Sequence, residues 1–286
     1  MIRGAYTALV TPFKNGKVNY EKLGELIEFQ ISNEIDGIVI CGTTGESSSL
    51  TDKEKKKVIK YTVETVNGRV PVIAGTGSND TRHSIELSKY AERVGADGLL
   101  IVTPYYNKTS QKGLIEHYTA IADSVTIPLI IYNVPSRTGL NILPDTVAKL
   151  AEHENIIGIK EASNNFSQIL ELISKVPSSF SVVSGNDDTI VPLLSLGGTG
   201  VISVLSNIYP FEMRAITDAA LDGDYIAAAE MQRKLQSLSD LMFSEVNPIP
   251  VKEAMRQIGY DCGPCRLPLC KPTQNTEEAI TSYFSR

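Results

Sequence analysis

The chain has 286 residues, of which 42% are hydrophobic and 21% charged, a composition typical of a folded globular protein rather than a disordered one. Its 27 basic and 33 acidic residues give a net charge of −6, which argues against a protein that coats nucleic acid. No apolar run approaches the roughly 20 residues that cross a bilayer. The opening MIRGAYTALV has neither a basic segment nor a small-residue cleavage site, so we expect a cytoplasmic protein with no membrane partner.

Short apolar, β-branched runs alternate along the chain with longer amphipathic segments. The runs begin 20 to 33 residues apart, which leaves room for one strand and one helix in each unit. Some of them, such as LLIV at 99–102, are apolar at every position, as expected of parallel strands buried on both faces. The runs predict eight strands, at Tyr6–Val10, Gly37–Cys41, Val70–Ala74, Gly98–Val102, Leu129–Asn133, Ile156–Lys160, Phe180–Ser184 and Gly200–Ser203.

The segments between the runs predict helices. Thr51 and Glu54 have the spacing of a capping box at the start of one helix, and Gly95 is placed to end another. About 80 residues follow the eighth strand, more than one closing helix needs. They predict two or three added helices, around 210–221, 224–243 and 248–259.

Repeated strand–helix units predict an α/β fold, a single (β/α)8 TIM barrel over residues 1–222 with a C-terminal helical extension, 223–286, packed on it. The structural alternative is an open doubly wound sheet. Such a sheet normally has a glycine-rich phosphate turn after its first strand, and the segment Thr11–Gly16 is not one.

Histidine and cysteine provide little support for a metal site. The three histidines, at 83, 117 and 153, lack metal-binding spacing, so we expect no metal. Cys262 and Cys265 have the CxxC spacing of redox or zinc sites, and Cys270 follows them. No strand precedes this pair, however, and prolines follow closely. A loop with free thiols is therefore the favoured interpretation.

The active sites of TIM barrels lie at the carboxyl ends of the strands, and Lys160 ends the apolar strand IIGIK. Burial there should lower the pKa of the amine and make it available as a nucleophile. The alternatives are a phosphate-binding lysine or a structural lysine paired with a carboxylate such as Glu161. Neighbouring residues in a strand point to opposite faces, so Glu161 is a poor partner.

The other strand ends contribute further candidates. The turn Gly42–Glu46 offers backbone N–H groups and two threonine hydroxyls, which suit a carboxylate but also suit an ordinary capped turn. Tyr106 and Tyr132 could transfer protons or simply pack. Arg137 could bind a second carboxylate in a bidentate manner, or lie on the surface.

These residues belong to motifs that together resemble a known family. The motifs are GTTGE (42–46), TPYYN (103–107), YNVPSRTG (132–139), IGIKEAS (157–163), GVISV (200–204) and NPIPVK (247–252). They resemble the 4-hydroxy-tetrahydrodipicolinate synthase family, Schiff-base enzymes of the pyruvate-dependent aldolase/lyase superfamily, and they recur in order across residues 4–270. The resemblance implies a TIM barrel with a C-terminal helical extension. It also implies condensation of pyruvate with L-aspartate 4-semialdehyde in lysine biosynthesis through diaminopimelate.

The resemblance also implies roles for individual residues. Lys160 would form an imine with pyruvate, so no separate cofactor would be needed. Tyr132 would donate and accept protons in a relay with Thr43 and with Tyr106, the latter contributed by a neighbouring subunit of a homotetramer, a dimer of dimers. The remaining implied positions bind substrate: Thr44 the pyruvate carboxylate, Arg137 the carboxylate of the second substrate, and the backbones of Gly185 and Ile202 the walls of the site.

Three other functions share part of these features. Sister enzymes such as N-acetylneuraminate lyase or a keto-deoxy-sugar-acid aldolase share the lysine, the tyrosine and the GxTGE turn, but they lack the context of Arg137. A catalytically silent barrel would be expected to have lost Lys160 or Tyr132. A nucleotide-binding protein would need a phosphate loop, which the sequence lacks.

Feedback regulation is the point at which the sequence departs from part of the family. Inhibited members bind lysine between segments matching Ser47–Lys55, Asn79–His83 and Tyr105. Strongly inhibited members carry histidine at the positions of Asp52 and Lys55, or glutamate at that of His83. The sequence therefore predicts weak or no inhibition by lysine, because His83 does not supply the glutamate's negative charge and Lys55 would repel a cationic ligand. The carboxylate of Asp52 could compensate in part.

Overall fold

The computed structural model describes residues 2–285. The chain folds into eight parallel strands that close into a barrel, together with a short antiparallel hairpin formed by β2 and β3. The strands are β1 (Gly4–Ala8), β2 (Phe13–Lys14), β3 (Lys17–Val18), β4 (Gly37–Ile40), β5 (Val72–Gly75), β6 (Gly98–Val102), β7 (Leu129–Asn133), β8 (Ile156–Glu161), β9 (Ser181–Ser184) and β10 (Gly200–Ser203).

The helices follow the strands in turn and continue beyond the last strand. They are α1 (Tyr20–Ser32), α2 (Asp52–Val66), α3 (Thr81–Arg93), α4 (Gln111–Ala122), α5 (Pro135–Thr138), α6 (Pro144–Leu150), α7 (Phe166–Lys175), α8 (Ile190–Ser195), α9 (Pro210–Leu221), α10 (Tyr225–Met242), α11 (Ile249–Gln257) and α12 (Gln274–Phe284). Within residues 2–285, none of these helices combines the length and the apolar composition that crossing a bilayer requires.

The barrel closes in the order β1, β10, β9, β8, β7, β6, β5, β4, with β4 paired back to β1. This topology confirms the predicted (β/α)8 barrel. All eight predicted strands form, and three of them, β6, β7 and β10, begin and end at the predicted residues. The division into a barrel at 1–222 and an extension at 223–286 stays a prediction.

The core has two layers because residues along each strand alternate in direction. On β7, Leu129 and Ile131 belong to the larger apolar cluster shared with the helices, whereas Ile130 and Tyr132 belong to a smaller cluster. Side chains that alternate in this way point to opposite faces of the sheet. The smaller cluster therefore fills the barrel interior, and Tyr132 ends its β7 row on the inside.

Several local predictions are confirmed by hydrogen bonds. The Thr51 hydroxyl accepts from the Glu54 N–H, and Glu54 Oε2 accepts from the Thr51 N–H at 3.0 Å, which completes the capping box of α2. Gly95, with φ of +90°, follows the end of α3. Helices α9, α10 and α11 match the three added helices, but α12 and the β2–β3 hairpin were not predicted.

Candidate active site

A cavity of about 290 Å³ opens where the barrel strands end. Its lining comes from the loops after β4, β5, β6 and β7 and from the segments that contain Asn247 and Arg266. Three predicted site residues line it: Thr43, Tyr132 and Arg137. The C-terminal extension therefore forms part of the cavity wall. The positions of the strand ends in the sequence do not predict this contribution.

Lys160 lies against this lining, next to Tyr132. The two residues are register partners on β7 and β8, and Lys160 Nζ is 4.6 Å from the centroid of the Tyr132 ring. Only 5% of Lys160 is exposed. Burial lowers the pKa of its amine to about 8. The Asp187 charge opposes this shift by raising the pKa, whereas the Arg137 charge lowers the pKa further. At pH 7.4 about one fifth of the amine is therefore neutral, against roughly one thousandth for a lysine of ordinary pKa.

The carboxylate of Glu161 is not the partner of this amine. It accepts hydrogen bonds from the side-chain amide of Asn133 at 3.0 Å and from the Ser163 N–H at 2.7 Å. These contacts agree with the expectation that Glu161 points to the opposite face of β8 from Lys160.

Gly185 gives the lysine side chain its space. A Cβ atom at this position would lie 3.1 Å from Lys160 Cε and 2.7 Å from the Cβ of Ala162. Any larger residue would therefore have to shift Ala162 and would crowd the side chain of Lys160. Ile202, the other predicted wall residue, is buried on β10 in the interior cluster, although neither it nor Gly185 lines the cavity itself.

Tyr132 and Thr43 are brought together as predicted. Burial raises the pKa of the Tyr132 phenol, while the Arg137 charge and a hydrogen bond with Thr43 act in the opposite direction. Tyr132 therefore has Thr43 and the buried amine as neighbours, and its phenol can donate or accept a proton there.

Tyr106 does not join these residues within one chain. Its side chain is 93% exposed and its φ is +68°, whereas its neighbour Tyr105 lines the cavity. Within residues 2–285 of a single chain, the predicted relay therefore consists of Tyr132 and Thr43 alone.

The turn Gly42–Glu46 is fixed from the C-terminal side. Asn247 donates from its side-chain amide to Thr44 Oγ1 at 2.9 Å, and Lys252 forms a buried ion pair with Glu46 at 2.6 Å. The second Glu46 oxygen accepts from the Arg266 N–H at 2.8 Å. The Glu46 N–H is also used within the turn, where it donates to the Thr43 oxygen at 3.0 Å, so the hydroxyl of Thr44 is the side-chain donor that remains for an anion.

Arg137 follows β7 in α5. It donates one hydrogen bond, from Nη2 to the backbone oxygen of Asn247 at 3.3 Å, and its side chain lines the cavity. A guanidinium has five N–H donors, so most of its fork is available for a carboxylate.

Sequence reasoning missed two residues. Asp187 is 3% exposed and accepts from the N–H groups of Val204 and Leu205, both at 3.0 Å, with its charge near enough to Lys160 to affect that pKa. Asp187 lies after β9, two residues beyond Gly185, and this place at a strand end is the signal that could have identified it as a site residue. Asn247 stands in the NPIPVK motif, but nothing in the sequence shows which turn it contacts.

The cysteines are free thiols, as favoured from the sequence. The segment from Cys262 to Cys270 forms no helix or strand. Burial raises the pKa of both Cys262 and Cys265 to about 12, which makes them poor nucleophiles. Residues 2–285 contain no group of three or more His, Cys, Asp or Glu side chains that could hold a metal ion.

Comparisons with known proteins agree on one family. The model of the dihydrodipicolinate synthetase family matches residues 1–285. The 4-hydroxy-tetrahydrodipicolinate synthase of Acetivibrio thermocellus is 58% identical over 277 residues, 97% of this chain and 94% of the relative. That of a Thermoanaerobacter species is 52% identical over 287 residues, 100% of this chain and 97% of the relative.

A solved structure gives the same result in three dimensions. The crystal structure of dihydrodipicolinate synthase from Aquifex aeolicus superimposes with a TM-score of 0.98 at 46% identity, covering 99% of this chain and 97% of that one. With both the sequence and the fold matched over nearly their full length, the chain belongs to the dihydrodipicolinate synthetase family.

Proposed function

We propose that the chain condenses pyruvate with L-aspartate 4-semialdehyde to give 4-hydroxy-tetrahydrodipicolinate, in lysine biosynthesis through diaminopimelate. The observation that carries this proposal is the buried Lys160 amine, with a pKa of about 8, packed against Tyr132. Membership of the family supports it over the whole chain. The reaction takes place in the cytoplasm, where the sequence predicts the protein to be.

The chemistry begins at Lys160. Its neutral amine adds to the carbonyl carbon of pyruvate, and loss of water gives an imine. The imine withdraws electrons, so a proton leaves the methyl carbon and an enamine forms. The enamine carbon then attacks the aldehyde carbon of the second substrate. Finally the amino group of that substrate attacks the imine carbon, which releases Lys160 and closes the ring. This covalent intermediate takes the place of a cofactor.

Each proton transfer needs a group that can both give and take a proton. Tyr132 is that group in the proposal, with Thr43 linking it to Tyr106 of a neighbouring subunit. The exposure of Tyr106 supports this arrangement, because a side chain that lies outside the cavity of its own subunit is free to reach the cavity of a neighbouring subunit. The protein is accordingly a homo-oligomer, and a homotetramer built from two tight dimers is the assembly we propose.

Two carboxylates have to be recognised. The pyruvate carboxylate accepts from Thr44 and from the N–H groups of its turn, and Arg137 binds the carboxylate of the aldehyde substrate. The backbones of Gly185 and Ile202 form the walls around the imine. Arg137 on the cavity lining favours an amino-acid aldehyde over the sugar-like aldehydes of the sister enzymes.

A turnover assay tests the proposal. Purified protein is given pyruvate with L-aspartate 4-semialdehyde, N-acetylmannosamine or a sugar-acid aldehyde in parallel reactions. We expect turnover with the first aldehyde and little with the others. Preference for a sugar-like aldehyde would assign the chain to a sister activity, and Arg137→Ala should lower kcat/KM for aspartate semialdehyde much more than for pyruvate.

A further inference from the structure

Asn247 contacts both of the residues proposed above to bind the substrate carboxylates. Its side-chain amide donates to Thr44 Oγ1 at 2.9 Å, and its backbone oxygen accepts from Arg137 Nη2 at 3.3 Å. The residue is 5% exposed and lines the cavity. One residue of the C-terminal extension thus contacts both proposed substrate-binding side chains, which come from the turns after β4 and β7.

We infer that Asn247 is a positioning residue with two separable parts, a side chain that serves the pyruvate subsite and a backbone carbonyl that serves the aldehyde subsite. This inference rests on the proposed function, because Thr44 and Arg137 hold the substrates only there.

The side-chain part follows from the direction of one hydrogen bond. A hydroxyl has one proton to donate and two lone pairs to accept with. The amide N–H of Asn247 occupies a lone pair of Thr44 Oγ1, and among residues 2–285 this oxygen forms a hydrogen bond with Asn247 only. The hydroxyl proton of Thr44 is therefore left for the substrate carboxylate, which can only accept.

The backbone part does not depend on the side chain at 247. The carbonyl oxygen takes one of the five N–H donors of Arg137 and leaves the rest of the fork for a carboxylate. A substitution that keeps the backbone in place should leave this contact intact. Changes in the side chain are therefore expected to affect pyruvate much more than aspartate semialdehyde.

Asn247→Asp is the informative variant because it keeps the shape and replaces the donor with an acceptor. The new carboxylate would take the Thr44 proton and add a negative charge beside the pyruvate carboxylate. We expect at least a tenfold rise in the KM for pyruvate and less than a threefold rise in that for aspartate semialdehyde. Asn247→Ala, which only removes the donor, should raise the KM for pyruvate by less.

Thr44→Val tests whether the effect passes through the hydroxyl. Once that hydroxyl is gone, adding Asn247→Ala, which brings no charge, should change the KM for pyruvate far less than it does in the parent, so the two substitutions are not additive. Asn155→Asp is the matched control. Asn155 donates to the Val125 oxygen at 2.9 Å just before β8, at the barrel end away from the cavity, and this change should leave the ratio of the two KM values unaltered.

The measurements separate the inference from the proposed function. KM does not depend on the fraction of folded enzyme, so a poorly folding variant still reports the ratio. The pyruvate dependence of borohydride trapping gives a second value for pyruvate that needs no aldehyde. An unchanged pyruvate dependence in Asn247→Asp, or equal rises for both substrates, would overturn the inference, whereas failure of the parent enzyme to use aspartate semialdehyde would overturn the function instead.

Discussion

Tyr132 and Lys160 are register partners on adjacent parallel strands, with the lysine amine 4.6 Å from the centre of the phenol ring. The next register pair, Asn133 and Glu161, points to the other face of the sheet and is joined by hydrogen bonds of 3.0 and 3.2 Å. The hydrogen bonds between Asn133 and Glu161 therefore hold β7 and β8 in the register that places Lys160 beside Tyr132. The position of the amine relative to the phenol is a property of the barrel itself rather than of a loop.

The first prediction concerns the covalent intermediate. Reduction with borohydride in the presence of pyruvate should attach one pyruvate-derived group to the chain, because the buried neutral amine of Lys160 forms the imine. Peptide mass mapping locates the label. Lys160→Arg should abolish labelling and most turnover, since a guanidinium stays charged and forms no imine. Label on any other lysine would contradict the mechanism.

The rate of imine formation should depend on pH. Lys160 has a pKa lowered to about 8, so its amine is mostly protonated below that pH and neutral above it. Trapping with pyruvate alone should therefore accelerate as pH rises and level off above a midpoint near 8.

Two neighbours of the amine should shift this midpoint in opposite directions. The Asp187 charge raises the pKa of Lys160, so Asp187→Asn should move the midpoint to lower pH. The Arg137 charge lowers it, so Arg137→Gln should move the midpoint to higher pH. Shifts of the same sign in both variants would show that the two charges do not act on the lysine as described.

Subunit exchange should reveal the role of Tyr106. The side chain is 93% exposed, and in the proposed relay it completes the site of a neighbouring protomer. Lys160→Met and Tyr106→Phe proteins should each have low activity alone. When they are unfolded together and refolded as a mixture, hybrid oligomers should regain activity, because some sites then contain both a lysine and a tyrosine. A mixture no more active than its components would rule out the shared site.

The buried ion pair between Glu46 and Lys252 should be important for stability. Its side chains are 1% and 4% exposed, with the charged atoms 2.6 Å apart. Removing one member leaves the other charge buried, so Lys252→Met should lower the free energy of unfolding by about 3–5 kcal/mol. Lys149→Met is the matched control. Its pair with Glu152 is exposed, so urea denaturation of that variant should give nearly the parental value.

The barrel strands and the candidate residues at their ends could be predicted because their signals are local. Apolar runs mark the strands, and the strand ends mark Lys160 and Tyr132. The contacts of Asn247 and Lys252 could not be predicted, because each joins the C-terminal extension to a turn about 200 residues earlier. Helix α12 and the β2–β3 hairpin were missed for another reason. The former follows a proline-containing loop, and the latter has strands of two residues, too short to show a period.

The last prediction concerns lysine. In inhibited members of the family this amino acid binds at a cleft whose matching segments here contain Asp52, Lys55 and His83. The Asp52 carboxylate, which could have attracted the cationic ligand, lies 3.0 Å from His83 Nε2 and is already engaged. Lys55 lies in a segment that matches this cleft, and its positive charge would repel the ligand. We therefore expect weak or no inhibition when L-lysine is titrated against the initial rate at saturating pyruvate.

A gain-of-function variant makes this prediction sharper. Lys55→His combined with His83→Glu removes the fixed positive charge and supplies a carboxylate for the ligand's amine. This double variant should be inhibited at a lower lysine concentration than the parent, while its activity without lysine serves as the internal reference. Strong inhibition of the parent at sub-millimolar lysine would contradict the prediction, because it would show that the charge of Lys55 and the pairing of Asp52 do not prevent lysine from binding.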